Sequence, residues 1–521
     1  MYDLIIRGGT IVDGTGAAGY EADIAITKDT IAAIGEIPAE AAGSEISVNG
    51  RIVCPGFIDI HTHTDFSLLI NPRAESKIRQ GVTTEIGGNC GGSIAPVREN
   101  TLKGAQFQLE EYGMEVDWRD MGDFLGKLED AKIGINYGTL VGNGTVRNVA
   151  MGLGERRATE SEIWKMKDEV ARAMRQGAMG LSTGLIYTPS LYANTDEIVE
   201  LAKVAAQHNG IYATHIRGEG ETLFKAIEEA VTIGVKANIG VEIAHFKASG
   251  RKNWGKAKRA LEMLDEARDR GVDITADRYP YLAGSTGLTY LLPTWSKDGG
   301  TDTMVQRLKD PQISDKIKAF IRDKAKEAQD YWSNVILCTD GSTVEEAAKK
   351  RDMDPVDFVC QFLIEKNANV SICHFSMCNE DTDLIIGHPQ VMIASDSSAK
   401  APYGILGKGN PHPRAYGTFP RAISEYVKER KVVDMPDMIR KMTSMPAIRL
   451  ALTRRGEIKK GNYADICVLD YESVKDKATY AQPHQYPDGI EYVLVNGKIV
   501  IDKGENTGEL PGKVIKGRPE L

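Results

Sequence analysis

The 521-residue sequence predicts an α/β protein: a (β/α)8 TIM-like barrel over residues 55–454, carrying a small β-sandwich domain made from both chain ends, 1–54 and 455–521. Three observations predict it. Short apolar runs alternate with amphipathic helical patterns through the middle of the chain, as parallel βα units do. Alternating apolar and polar residues broken by glycine occupy both ends. Side chains with lone pairs to give recur where the apolar runs stop, which is where such a barrel gathers its chemistry.

At the N-terminal end, Asp3-Leu4-Ile5-Ile6-Arg7-Gly8-Gly9 and Ala22-Asp23-Ile24-Ala25-Ile26 read as short strands, and the same texture returns in Ala464-Asp465-Ile466-Cys467-Val468-Leu469 and Tyr492-Val493-Leu494-Val495. Neither end holds enough strands to be stable alone, so the two are expected to pack together. Between them, strands are expected to begin near Phe57, Val82, Ile133, Ala178, Ile211, Val241, Val272 and Val391, with helices over 159–176, 195–208 and 221–234. An open doubly wound sheet is the alternative that pattern alone leaves. The interval 283–385 is far longer than a crossover needs and reads as an insertion, opening on Leu282-Ala283-Gly284-Ser285-Thr286-Gly287. At a barrel mouth it can serve as a lid, or it is a solvated excursion with no role.

Composition narrows the function classes. A net charge of -9 with no Lys/Arg cluster interleaved with aromatics carries no footprint for nucleic acid. The N-terminus lacks a basic start and apolar core, and no run of 18 apolar residues occurs, so neither export nor membrane insertion is expected. Seven cysteines without regular spacing fit a reducing, cytoplasmic setting rather than a disulfide framework. A small-molecule substrate is the class that remains, and nothing in the sequence sets the oligomeric state.

The candidate site begins with Phe57-Ile58-Asp59-Ile60-His61-Thr62-His63, a buried-strand pattern ending in two histidines one residue apart. Residues i and i+2 of a strand share a face, so both imidazoles can meet one ion. The second strand runs through Gly87-Gly88-Asn89 into Cys90, the fifth ends at His215, the sixth at His245 and the eighth at Asp396. A thiolate and several imidazoles on one rim suit zinc, which takes three protein ligands in a catalytic site and keeps a position for water. Cys373-His374-Phe375-Ser376-Met377-Cys378 also carries zinc-type ligands, but one Cys-x4-Cys without a second pair reads as core packing. His208, before Asn209-Gly210, is placed to complement a helix C-terminus.

These motifs, together with Thr214-His215-Ile216-Arg217, Ala244-His245-Phe246-Lys247, Ser395-Asp396-Ser397 and His412-Pro413-Arg414, resemble the amidohydrolase superfamily and, within it, the N-acyl-D-amino-acid deacylase (D-aminoacylase) family, over nearly the whole length. The resemblance implies a zinc held tightly by Cys90, His215 and His245, a weaker second position completed by His61 and His63, and Asp396 as catalytic acid/base. It implies that Lys247, Tyr279, Ser285 and Arg414 grip the carboxylate of an N-acyl amino acid, with Tyr192 adding a hydroxyl. Binuclear superfamily members carry a carboxylated lysine on the fourth strand, whereas Gly180-Leu181-Ser182-Thr183-Gly184-Leu185 has no lysine, which argues against a lysine-bridged hydantoinase. Many relatives have an acidic residue directly after the arginine that follows the fifth-strand histidine, where this chain reads Arg217-Gly218-Glu219. Hydrolysis of cyclic amides, or of dipeptides with a C-terminal D-residue, is the enzymatic alternative, and a non-catalytic scaffold on the same fold is the other.

Overall fold

The computed structural model describes residues 1–38 and 42–517. Among them, eight parallel segments carry the middle of the chain: β1 (Phe57–Asp59), β2 (Val82–Gly87), β3 (Asn136–Thr139, resuming as Val141–Gly142), β4 (Gly180–Gly184), β5 (Ile211–His215), β6 (Val241–Ile243), β7 (Ile274–Arg278) and β8 (Val391–Ile393). β1, β2 and β3 pair in one arc, and the end of β3 continues through β4, β5, β6 and β7 to β8 in a second. Met179 N donates to Thr139 O at 2.8 Å beside β3, and Thr62 bridges Ser397 in parallel, so β1 and β8 run alongside one another just past their C-terminal ends. All eight are buried along their length, which is why they read as apolar runs and not as alternating ones.

Five strands begin where the apolar runs do, and β3, β4 and β7 begin two or three residues later. Local hydrogen bonding explains the delay. Ala178 N and Val272 N donate back to Ala173 O and Ala267 O, closing the helices before them, with Gly177 and Gly271 at positive φ in the turn. Ile133 is taken up in a bridge to Gly512 from the C-terminal segment. The helices run over Glu160–Arg175, Thr195–Gln207 and Leu223–Ala237. Thr159 and Asn194 cap the first two by accepting from Glu162 N and Glu197 N. The third starts after Thr222 and persists to Asn238, whose φ of 52° stops it.

The chain ends meet edge to edge: Ile52–Pro55 pairs antiparallel with Ile466–Leu469, joining strands from both termini into one nine-stranded sheet among the described residues. Leu4, Ile6, Ile24, Val53, Ile466 and Leu494 share its apolar face. Between β7 and β8, strands Ala283–Gly287, Ser371–Phe375 and Val335–Leu337 form a small antiparallel sheet against helices such as Pro311–Ala325 and Pro355–Glu365. This insertion has its own core of Leu288, Ile317, Leu337, Val359, Leu363 and Ile372. Asp310 and Asp354, each followed by a proline at the first helical position, cap those two helices.

Candidate metal centre

The C-terminal ends of five parallel strands bring sulfur, nitrogen and carboxylate atoms together. Cys90 leaves β2 through a backbone folded back on itself: its own φ is 51°, flanked by Gly88 at 70° and Gly91 at 75°. Both glycines are required, because a Cβ on Gly88 would stand 2.1 Å from Leu140 O and one on Gly91 2.5 Å from Gly184 N. The turn delivers Cys90 Sγ to within 3.3 Å of His61 Nε2, 3.6 Å of His245 Nε2 and 3.8 Å of His215 Nδ1. Zinc bonds of about 2.3 Å to sulfur and about 2.0 Å to nitrogen, at tetrahedral angles, place the two ligand atoms roughly 3.5 Å apart. The donors fit the ion.

Two donor groups overlap at Cys90: Cys90, His215 and His245 form one, and His61, His63, Cys90 and Asp396 the other. A sulfur common to both is suited to the place that a fourth-strand lysine takes elsewhere, and β4 offers only glycine, leucine, serine and threonine. Burial alone would raise the Cys90 thiol, but the charge on His61 and bonds from His215, His245 and His61 outweigh it and hold it well below its ordinary value. That favours the thiolate, the form that ligates metal.

Asp396 sits just beyond β8 with φ 49°, its N–H donating to His61 O at 2.9 Å. Its Oδ1 is 3.1 Å from His63 Nε2 and 3.4 Å from His61 Nε2, and its Oδ2 is 2.9 Å from Arg414 Nη1. Burial pushes this carboxyl up, but Arg414, His61 and His245 together hold it well below the usual carboxylate range. A buried, ionised carboxylate therefore faces the donor cluster. Burial lowers His215, whereas Glu219 and Asp396 prevail over burial and Lys247 to lift His245 to about 9.

Two further acids shape the site and escaped the sequence. Asp277 on β7 accepts the backbone N–H of His245 at 2.8 Å and pairs with His61 Nδ1 at 3.0 Å. Glu219 stands 2.9 Å from His245 Nδ1 and also bonds Lys247 Nζ. Carboxylates on the outer nitrogens of metal-binding imidazoles fix the ring and its tautomer. Glu219 is the acid two places after Arg217, so the loop that departs from the family pattern still presents a carboxylate to the centre. Its spacing from His215 was the one available signal.

The side chains expected on a substrate carboxylate lie on one flank. Arg414 is buried over the Tyr279 ring at 4.7 Å, and Lys247 is 5.9 Å from the same ring. His412 fixes Arg414: its Nδ1 accepts Arg414 N–H at 3.0 Å, leaving Nε2–H to donate to Ala283 O at 3.0 Å on the strand that carries Ser285. Tyr192 is not brought to this cluster. On the short helix Ser190–Tyr192 its hydroxyl is buried without a hydrogen-bond partner among the described residues and feels the charges of Asp298 and Glu155. Tyr187, five residues earlier, stands edge-on to His215 at 5.1 Å with its hydroxyl 3.1 Å from Thr286 Oγ1.

Comparison with known proteins agrees with this geometry. The amidohydrolase family profile matches residues 44–501. The chain is 34% identical to the D-aminoacylase of Alcaligenes xylosoxydans xylosoxydans over 514 residues, covering 99% of this chain and 97% of that protein. A solved D-aminoacylase, described with a binuclear metal centre, one-metal activation and second-metal attenuation, is 32% identical with a TM-score of 0.83, covering 99% and 100% of the two chains. The N-acyl-D-glutamate deacylase of Bordetella bronchiseptica, solved with zinc and a phosphonate mimic of the tetrahedral intermediate, is 30% identical, with 99% of each chain covered and a TM-score of 0.83. Sequence, fold and ligand geometry converge: the chain belongs to the amidohydrolase family, on its D-aminoacylase branch.

Proposed function

We propose that this protein hydrolyses the amide bond of N-acyl-D-amino acids to a carboxylate and a free D-amino acid, with one zinc held tightly by Cys90, His215 and His245 and a weaker second position at His61 and His63. The observation that carries the reading is the ionised Asp396 carboxylate set between the Cys90–imidazole cluster and Arg414. The D preference comes from the relatives. We read the two arcs of parallel strands as one (β/α)8 barrel over 55–454, the sheet of both termini as a small β-sandwich domain, and the 283–385 unit as a lid over the substrate. Seven cysteines, all free among the described residues, support a cytoplasmic setting; no helix of the described residues is long and apolar enough to cross a membrane.

When bound, zinc polarises the scissile carbonyl and lowers the pKa of water. Asp396 Oδ1 takes the proton from the attacking water and returns it to the leaving nitrogen, so one carboxylate acts as base and then as acid. Arg414, Lys247, Ser285 and Tyr279 receive the substrate carboxylate, where charge-assisted bonds are short and strong. That carboxylate would draw Arg414 away from Asp396 Oδ2 and so ease the hold that keeps the carboxyl ionised, letting Asp396 carry the proton. His63, its side chain 37% exposed, is the donor nearest bulk water.

Incubating the zinc-loaded protein with paired N-acetyl-D- and N-acetyl-L-amino acids, beside a hydantoin and a dipeptide ending in a D-residue, tests the proposal. Release of free amino acid from the D-series is expected. Equal turnover of both hands, or cleavage of the cyclic amide alone, would refute it.

A further inference from the structure

The insertion holds a pair of thiols that hydrolysis does not use. Its antiparallel sheet sets Ser285 directly opposite Cys373, and Cys373 directly opposite Ile336. Cys338 continues that outer strand, donating its N–H to Ser371 O at 2.9 Å, and two-residue alternation puts its side chain on the face of Ile336 and Cys373. Cys338 Sγ and Cys373 Sγ are 3.6 Å apart. Cys373 is buried and Cys338 half-buried, so Cys338 is the more accessible of the two.

The pair adjoins the carboxylate-binding side chains. The Ser285 hydroxyl lies beside both sulfurs, and the Arg414 guanidinium acts on both. The bond from Cys373 lowers the Cys338 thiol against the effect of burial, with help from Ser285 and Arg414, while its bond to Cys338 and burial hold Cys373 well above its ordinary value. A half-buried thiol inclined to ionise, 3.6 Å from a buried one, suits the roles of attacking and resolving cysteine. Cys54 and Cys467, paired across the terminal sheet, are fully buried and have no such access.

We propose that Cys338 and Cys373 form a reversible disulfide that displaces Ser285 and weakens substrate binding while leaving the metal centre intact. The effect on binding rests on the proposed function, in which Ser285 and Arg414 hold the substrate carboxylate; the disulfide itself does not. The oxidant is a small-molecule disulfide. Cys338 thiolate attacks one of its sulfurs, forming a mixed disulfide and releasing one thiolate. Cys373 gives its proton to solvent, attacks Cys338 Sγ and expels the second thiolate. Two electrons pass from the cysteines to the reagent. Closure must shorten the sulfur separation from 3.6 Å to about 2.05 Å. Cys373 is on the middle strand of the three, so its displacement is transmitted to Ser285 on the next.

The zinc-loaded full chain, equilibrated with reduced or oxidised glutathione, supplies the test. Peptide mapping without reductant should find Cys338 linked to Cys373, with zinc content unchanged. KM for an N-acetyl-D-amino acid should rise about tenfold, the scale of one lost hydrogen bond to a charged group, and dithiothreitol should reverse it. Cys338→Ser, at a half-exposed position, should keep the reduced enzyme's activity and lose its response to oxidant. Two free thiols after oxidation, a linked pair with unchanged KM, or an equal loss in Cys338→Ser would each overturn the proposal. A reduced enzyme that turns over no acyl amino acid would instead count against the proposed function, and the peptide map would still decide whether the disulfide forms.

Discussion

Glu219 Oε1 lies 2.9 Å from His245 Nδ1 and receives Lys247 Nζ as well, so one carboxylate both orients an imidazole of the donor cluster and tethers the lysine beside it. Glu219→Gln keeps the shape and removes the charge. Loss of an outer carboxylate on a ligating histidine typically weakens metal binding about 10–100-fold. Competition with a chromophoric chelator should show that loss, and unchanged zinc affinity would remove Glu219 from the centre.

Asp396→Ala deletes the proposed proton carrier and leaves Cys90, His215 and His245 in place. Turnover should fall by about 10²–10⁴, the range for general acid–base catalysis, with zinc content by elemental analysis near wild type. Joint loss of zinc and activity would make Asp396 a ligand first.

Arg414 is the first of the charges that, against burial, keep Asp396 well below the usual carboxylate range. Arg414→Met should let that carboxyl titrate higher, so the acid limb of kcat/KM moves to higher pH. KM should rise for N-acyl amino acids and stay level for an uncharged amide. A pH profile unmoved by the substitution would separate Arg414 from the base.

Burial and the charge of Asp277 push Glu242 from its ordinary 4.5 to about 8. Between those values the folded chain keeps a proton that the unfolded chain sheds, so this group's contribution to stability falls as pH rises through the window and levels off above it. Glu242→Gln cannot ionise. The variant's Tm relative to wild type should climb from pH 5 to pH 8, read by differential scanning fluorimetry.

Lys77 is fully buried, 2.8 Å from Asp59 Oδ2 and 3.0 Å from Glu85 Oε1, and it donates to Ser395 Oγ at 2.7 Å and Ser397 O at 3.0 Å. One ammonium thus ties β1 and β2 to the segment that carries Asp396. Lys77→Met would strand two buried carboxylates, a loss of about 3–5 kcal/mol in urea unfolding.

What the sequence disclosed and what it hid divide along physical lines. Strands buried on both faces announce themselves as apolar runs, and His61, Cys90, His215, His245 and Asp396 were visible because each stops such a run. Lys77, Asp277 and Glu219 were not, since their partners are distant in sequence and a buried charge looks like any surface one until the chain folds. Asp59 was in view within the first motif, but its role as a counter-ion depends on Lys77. Tyr187 and Tyr192 are separated only by how the chain turns after β4, and no spacing rule reports that. The insertion's length was legible, its core and its thiol pair were not.

Cys90, His245 and Asp396 all occupy the left-handed backbone region, with φ of 51°, 36° and 49°. Asparagine, aspartate and histidine are tolerated there, and branched or bulky side chains are not. Replacements at these positions thus differ in backbone strain as well as in lost chemistry, and an Asp396→Val protein is expected to melt below Asp396→Asn although neither carries the carboxylate. A library built at these three sites keeps its foldable members when it is confined to asparagine, aspartate, histidine and glycine.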